Sequence, residues 1–446
     1  MGGEWREVQF EEVCNVSRGA SPRPIHEWVA ETGIPWVKIS DASSAGSRFI
    51  ERTSEYIRPD ARSKSVSVYP GDLILSNSAT PGIPMFMGIE ACIHDGWLLL
   101  RNFRNLDKLF AYYLLLHERP ALIEQGSGSV FTNLKTEILK KHRFRLPPLH
   151  EQRAIAHILG TLDDKIELNR RMNETLEQMA RAIFKAWFVD FEPVRAKMSG
   201  RWKIGQSLPG LPSHLWDLFP DRLVNSELGE IPSGWQVGKL GDALEKLVSG
   251  SRPVGGAVDK GIPSVGAENI IGLGKYDFSK EKYVPAEFFD NLQRKGAAIR
   301  PGDVLLYKDG AQIGRKTYFD CGFPHVQCAV NEHVFIIRSK HPYKQRYLYF
   351  WLDQDWMTKE IMNLNSNSAQ PGINQQAVRS LPFLNPPYSV LEAFDQLLKP
   401  LIDRIFRTCF ESRTLAALRD ALLPKLISGE IRVKDVERFI KEAENA

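Results

Sequence analysis

The run Asn385-Pro386-Pro387-Tyr388 is the stretch of this 446-residue chain best suited to chemistry on a base. An asparagine amide and a proline carbonyl can together hold an exocyclic amino group, and a tyrosine ring can stack on a base swung out of its duplex. Group transfer to that nitrogen also needs a strand leading into a glycine-rich loop for a nucleotide cofactor, with an acidic residue further on for its ribose. No strand, loop and acid occur in that order. The tetrapeptide moreover occupies the place where the first half of the chain has Leu146-Pro147-Pro148-Leu149, which reads as a hinge into a helix. Other familiar chemistries are missing too. The ten histidines form no HExxH, and neither GxSxG, GxxxxGK[ST] nor a carboxylate cluster with nuclease spacing occurs. His150 and His157, seven apart on one predicted helix, read as surface or seam residues rather than ligands. The reading is a chain without an active site.

What would position such residues is stated twice. Residues 147–188 lie over 386–427 without a gap, matching Pro147-Pro148 to Pro386-Pro387, Asp164-Lys165-Ile166 to Asp403-Arg404-Ile405, and Thr175-Leu176 to Thr414-Leu415. Both segments are predicted helices. A fainter duplicate precedes each: Trp5 recurs as Trp235, Ser17-Arg18-Gly19 as Val248-Ser249-Gly250, Ile34-Pro35 as Ile262-Pro263, and Pro70-Gly71-Asp72 as Pro301-Gly302-Asp303. The order is globule, helix, globule, helix. Solenoid units run to about 20–50 residues, so a period this long predicts instead a pseudo-twofold molecule with two similar, unlike surfaces.

A strict heptad on the first helix puts Ile155, Leu162, Asn169, Leu176 and Ile183 in one row and Ile158, Lys165, Met172, Met179 and Ala186 in the other. The same register on the second gives Phe394, Leu401, Thr408, Leu415 and Leu422, then the weaker row Leu397, Arg404, Glu411, Leu418 and Lys425. Apolar rows of this length need a partner helix, and the duplicate is the nearest one, which predicts an antiparallel coiled coil. About 40 residues at 1.5 Å each would hold the globules at most roughly 60 Å apart. Asn169 and Thr408 are candidates to fix the register. Pro400 should kink or start the second helix and Pro424 should loosen its end.

Within the globules, Val66–Leu75 and residues 299–306 read as strand, Pro-Gly turn and strand. The loops that follow diverge, Ser76-Asn77-Ser78-Ala79-Thr80-Pro81-Gly82 in one and Lys308-Asp309-Gly310-Ala311-Gln312-Ile313-Gly314 in the other. A fixed frame with varied loop residues suits a reader of base edges, where each base pair needs its own hydrogen-bonding set. The aromatic segments 109–116 and 347–352 read as core. The Gly/Ser/Asn loops at 126–133 and 365–374 are better candidates for contact with phosphates or bases. Residues 192–232, rich in proline and glycine, read as a long connection.

Composition narrows the class. A net charge of +4 is too mild to argue for nucleic acid alone, and residues 1–138 carry 14 Lys+Arg against 17 Asp+Glu, whereas 233–380 carry 19 against 15. Any polyanion contact in the first globule must therefore come from a local patch, such as Arg18 with Arg23, or the stretch Arg48, Arg52, Arg58, Arg62 and Lys64. Glu51, Glu55 and Asp60 interleave that stretch, so a solvated charged face explains it equally well. No secretory signal or membrane-spanning run is evident, which predicts an intracellular, cytoplasmic protein. Its five cysteines, Cys14, Cys92, Cys321, Cys328 and Cys409, should be buried thiols.

On these residues the chain resembles the specificity subunits of Type I restriction-modification systems. The likeness is strongest at Leu146–Ile155, Leu162–Asn169, Phe184–Arg195, Leu228–Pro232 and Leu423–Ile431. The resemblance implies an α+β fold: two similar globular α/β target-recognition domains separated by two long antiparallel helices forming a coiled coil, with a pseudo-twofold internal repeat. The corresponding boundaries are 1–146 and 233–384 for the recognition domains, 147–191 and 385–428 for the spacer helices, 192–232 for the connection and 429–446 for a C-terminal tail. It implies double-stranded DNA, two methyltransferase subunits and restriction subunits as partners. No cofactor is expected on this chain; S-adenosylmethionine, ATP and Mg are expected on the partners. Chemistry selects Arg18, Arg23, Lys38, Ser76, Asn77 and Thr80 as DNA-binding candidates in the first domain, and Arg252, Lys308, Asp309, Gln312, Arg315 and Lys316 in the second, because Arg and Lys suit guanine and phosphate while Asn and Gln suit adenine. The alternative is a self-sufficient N6-adenine DNA methyltransferase using Asn385-Pro386-Pro387-Tyr388.

Overall fold

The structure, a computed structural model, describes residues 5–126, 133–310, 312–365 and 372–433. It divides into one unit holding residues up to Glu167 together with those from Thr414, and a second holding Leu168–Arg413. The division falls inside both long helices, Leu149–Phe188 and Tyr388–Ser428, so each is described in its two parts.

Unit 1 is built on two five-stranded sheets. One runs Asn15–Arg18, Trp97–Arg101, Leu73–Ser76, Pro84–Met87, Phe49–Ile50; the other runs Val29–Ala30, Glu55–Ile57, Ile34–Val37, Ala91–Ile93, Val66–Val68. Leu73–Ser76 and Trp97–Leu100 are buried at every position, and such continuous apolar strands form when both faces of a sheet are covered. A further pair, Arg6–Gln9 with Arg143–Leu146, leads into the first long helix.

Unit 2 repeats the plan. Its strands Leu244–Ser249, Val334–Ser339, Val304–Tyr307 and Lys316–Tyr318 follow the order of the first sheet, and Lys282–Val284, Ile262–Val265 and Ala329–Val330 follow part of the second. Gln236–Lys239 pairs with Pro382–Asn385 ahead of the second long helix. The segment Asn385–Tyr388 is this strand-to-helix joint, and the Tyr388 hydroxyl donates to Glu392 at 2.8 Å. Residues 192–232 are more than a connection: Val194, Trp202, Leu211, Leu215, Phe219 and Ile231 are buried in the unit 2 core. The aromatic segments are core as expected, with Phe110–Leu115 and Tyr347–Leu352 buried throughout.

The Pro-Gly-Asp turns owe their recurrence to the aspartate. In unit 1, Asp72 accepts from the Tyr69 amide (2.8 Å) and from Arg101 Nε (3.1 Å). In unit 2, Asp303 accepts from the Arg300 amide (2.7 Å) and takes Arg338 at both oxygens (2.7 and 2.5 Å). Each carboxylate thereby closes its turn and ties it to the neighbouring strand of the sheet, the one hydrogen-bonded to the strand the turn leads into.

The long helices run antiparallel within each unit. In unit 1, Asp163 accepts from Arg419 at 2.6 Å, and Ile155 and Leu159 share a core with Leu426 and Ile427. In unit 2, Phe394 packs on Phe184, Trp187 and Phe188 (centroids 5.8, 6.0 and 4.9 Å). A polar layer interrupts the apolar rows there. Buried Asn169 donates to Glu411 (2.9 Å) and Ser412 (3.2 Å), and Asn173 meets Thr408 and Cys409.

The second heptad row differs from the expected one. It falls one residue later, at Leu159, Ile166, Asn173, Ala180 and Trp187 on the first helix and Leu398, Ile405, Ser412, Arg419 and Leu426 on the second. Leu159, Ala180, Leu398 and Leu426 are fully buried, whereas Met179 and Leu418 are 46% exposed. Each helix packs on its own globule as well as on its partner, which widens and rotates the apolar stripe from a narrow coiled-coil seam. Arg404 and Lys425, which weaken the expected row, are exposed and lie on the outer flank of the seam. Pro400 does not start the second helix, which runs from Tyr388 through both Pro400 and Pro424. Both prolines and the residues four before them, Gln396 and Asp420, are exposed, so the unpaired carbonyls are left to water. Cys321 is exposed, contrary to expectation, while the other four cysteines are buried.

Candidate nucleic-acid interface

The same main-chain frame is built in both units from the ends of corresponding strands. In unit 1, the Gly19 amide donates to the Trp97 carbonyl (2.9 Å), Ala20 to Ile93 (3.2 Å), Asn77 to Gly96 (2.9 Å) and Leu134 to Asn77 (2.8 Å). In unit 2, Gly250 donates to Val334 (3.0 Å), Ser251 to Val330 (2.9 Å), Lys308 to His333 (3.1 Å) and Ile373 to Lys308 (2.8 Å). Residue by residue, 93–97 therefore corresponds to 330–334, and Asn77 to Lys308. The glycines are required by closeness: a Cβ on Gly19 would lie 2.1 Å from the His94 carbonyl oxygen, and one on Gly250 would lie 2.1 Å from that of Val330. Only this contact explains why a glycine recurs at that point of two otherwise divergent segments.

The side chains shown on the frame differ. In unit 1 the 94–96 turn is centred on Asp95. Its carboxylate accepts from Ser21 Oγ (2.6 Å) and Arg23 (3.2 Å) and stands 3.8 Å from Arg18, whose Nε donates to the Asp95 carbonyl (2.8 Å). Burial opposes ionisation here, but the Ser21 hydroxyl, the local amide and both guanidiniums outweigh it and hold the carboxyl below its usual range. Beside it, burial pushes the His94 imidazole down, and its Nδ1 accepts from the Gly96 amide (2.8 Å). Arg18 and Arg23 remain 59% and 74% exposed. In unit 2 the same turn carries Glu332, 3.7 Å from Arg252 and 3.6 Å from His333; His333 Nδ1 lies 2.8 Å from Asp309, which neighbours Lys308.

The remaining candidates divide into exposed and internal ones. Thr80, Gln312 and Arg315 are exposed on their loops, and Lys38 pairs with Glu55 (3.2 Å) over the Trp36 ring. Ser76 is internal: buried completely, it donates to the Thr80 carbonyl and accepts from the Ile83 amide. Asn77 is buried too, its amide given to the Asp95 carbonyl (3.1 Å), so it belongs to the frame. In the basic stretch, Arg48 is paired with Asp164, Arg58 with Asp60 and Arg62 with Glu90. Residues 127–132, 311 and 366–371 of the candidate loops, and 434–446 of the tail, lie outside the described residues.

Lys316 is internal as well. Its Nζ donates to Thr358 Oγ1 (2.7 Å) and stands 3.9 Å from Asp353, which also pairs with Arg181 of the first long helix. Burial pushes its ammonium down from 10.5 to about 8, with Asp353 opposing. Between those values the unfolded chain holds the proton that the folded chain has lost, so stability rises with pH across that window. Wild type is therefore expected to gain stability relative to Lys316→Met between pH 8 and pH 10 in denaturant melts; parallel pH profiles would contradict the assignment.

Sequence reasoning missed Asp95, Glu332 and His333. Asp and Glu at corresponding positions leave no identity to notice, and only the hydrogen-bond frame aligns them.

The family model of the Type I restriction modification DNA specificity domain matches residues 2–178. The MjaIX specificity subunit of a Type I restriction enzyme from Methanocaldococcus jannaschii is 27% identical over 97% of this chain and 95% of its own length. The HindI specificity subunit from Haemophilus influenzae is 24% identical over 96% of this chain and its whole length. Among solved structures, the S subunit of a Type I restriction-modification system from M. genitalium has the same fold, with a TM-score of 0.56 and 14% identity over 95% of this chain and 96% of that one. No helix among the described residues is long and apolar enough to cross a membrane.

Proposed function

Since this chain belongs to the family of Type I restriction specificity subunits, we propose that it reads a bipartite, asymmetric site in double-stranded DNA, one half with each unit. It is a recognition subunit and not an enzyme. One observation carries the bipartite reading: the same main-chain frame is built twice and displays different side chains each time. In this reading Arg18, Arg23, Lys38 and Thr80 face the first half-site, and Arg252, Lys308, Asp309, Gln312 and Arg315 the second. Residues 1–146 and 233–384 are the recognition domains, and the paired helices set the gap. Two methyltransferase subunits dock on the chain, restriction subunits join for cleavage, and S-adenosylmethionine, ATP and Mg are held by those partners in the cytoplasm. Methylome sequencing of cells expressing the chain with its methyltransferase subunits is expected to reveal methylation at one split motif with a fixed gap. Methylation independent of sequence would overturn the reading.

The spacer makes a separate expectation. Removing one heptad from each helix at matched levels, 173–179 and 402–408, shortens the pair by about 10 Å, or roughly three base pairs. The methylated motif is expected to keep both half-sites and lose about three base pairs of gap; an unchanged gap would show that the helices do not set it.

A further inference from the structure

We infer that Asp95 and Glu332 are positioning residues for specificity, each orienting an exposed arginine toward a base edge instead of a phosphate. The inference rests on the DNA-reading function proposed above. The two carboxylates occupy the same point of the duplicated frame, fixed by the hydrogen bonds of residues 93–97 and 330–334. Each faces exposed guanidinium: Arg18 and Arg23 at Asp95, Arg252 at Glu332. In unit 1 the carboxylate is itself held by Ser21, which stands at the position of Arg252.

The chemistry follows from what an unrestrained arginine prefers. Phosphates outnumber any single base and carry charge, so an exposed guanidinium on a flexible stem makes contacts that position the protein but carry no sequence information. A carboxylate at its root changes this in two ways. It occupies one edge of the guanidinium and leaves another edge for the O6 and N7 acceptors of guanine, a bidentate geometry that needs a fixed plane. It also repels phosphate oxygens, which carry negative charge, more than neutral base acceptors. Two guanidiniums on Asp95 and one on Glu332 would give the half-sites different guanine content, as an asymmetric site requires.

The test uses the full chain assembled with its methyltransferase subunits. Affinity is measured for the cognate duplex, for duplexes with single base-pair changes in either half, and for an unrelated duplex. Asp95→Asn is expected to reduce the cognate-to-unrelated ratio about tenfold, the order of one lost bidentate contact. Tolerance of base changes should rise in the first half-site only. Glu332→Gln should do the same in the second half-site only. Asp95→Glu, which keeps the charge, should restore most of the ratio, and Asp95→Asn should add nothing in an Arg18→Ala, Arg23→Ala background. Equal loss on cognate and unrelated DNA, or an unchanged ratio in both amide variants, overturns the positioning role while leaving DNA reading intact. A wild-type complex that fails to discriminate at all overturns the functional reading instead.

Discussion

Arg338→Ala is expected to destabilise unit 2 by about 3–5 kcal/mol, because it strands a carboxylate with no exposure to water. Arg338 meets both oxygens of Asp303, so the substitution deletes two charge-assisted hydrogen bonds at once. Asp303 retains only the Arg300 amide among these partners. The counterpart pair in unit 1 gives the control. Arg101 is 37% exposed, so water can replace it beside Asp72, and Arg101→Ala should cost about 1–2 kcal/mol. Chemical denaturation followed separately in each unit, for example by engineered probes, measures both. Equal losses at the two sites would show that burial does not decide the cost.

The second large effect separates adjacent residues on the second long helix. Leu398→Ala removes a fully buried side chain and should cost about 2–5 kcal/mol, whereas Leu397→Ala, at 36% exposure, should cost under about 1 kcal/mol. A strict heptad counted from Phe394 reverses the order, because it places Leu397 in the seam and Leu398 outside. Thermal melts of the two variants therefore decide which register the helices use. A larger loss for Leu397→Ala would reject the register described above.

That reversal shows where the sequence was legible and where it was not. The duplication could be read because main-chain demands leave residue-type traces: glycine where Gly19 and Gly250 touch a neighbouring carbonyl, and Pro-Gly-Asp where a carboxylate closes a turn. Helix register left a weaker trace. Apolar residues stand at both the third and fourth positions after Phe394, and only the globule packed alongside decides between Leu397 and Leu398. Individual site residues were harder still. Ser76 and Lys316 have side chains suited to DNA, but the strands that carry them turn inward, where Thr80, Thr358 and Asp353 engage them. Asp95 and Glu332 left no trace of this kind, because an Asp and a Glu at corresponding positions share no identity and their partners Ser21, Arg23 and Arg252 lie far along the chain.

The hydrogen bonds that hold the recognition frame run between peptide groups, so they are indifferent to which residue occupies most positions along it. Glycine is demanded at one point, and the displayed side chains are otherwise free to drift. Such an arrangement uncouples the problem of folding from the problem of choosing a target: a lineage can rewrite what it recognises by point substitution without searching again for a stable protein. Under the function proposed above, a scaffold of this kind accepts new vocabulary at little structural risk.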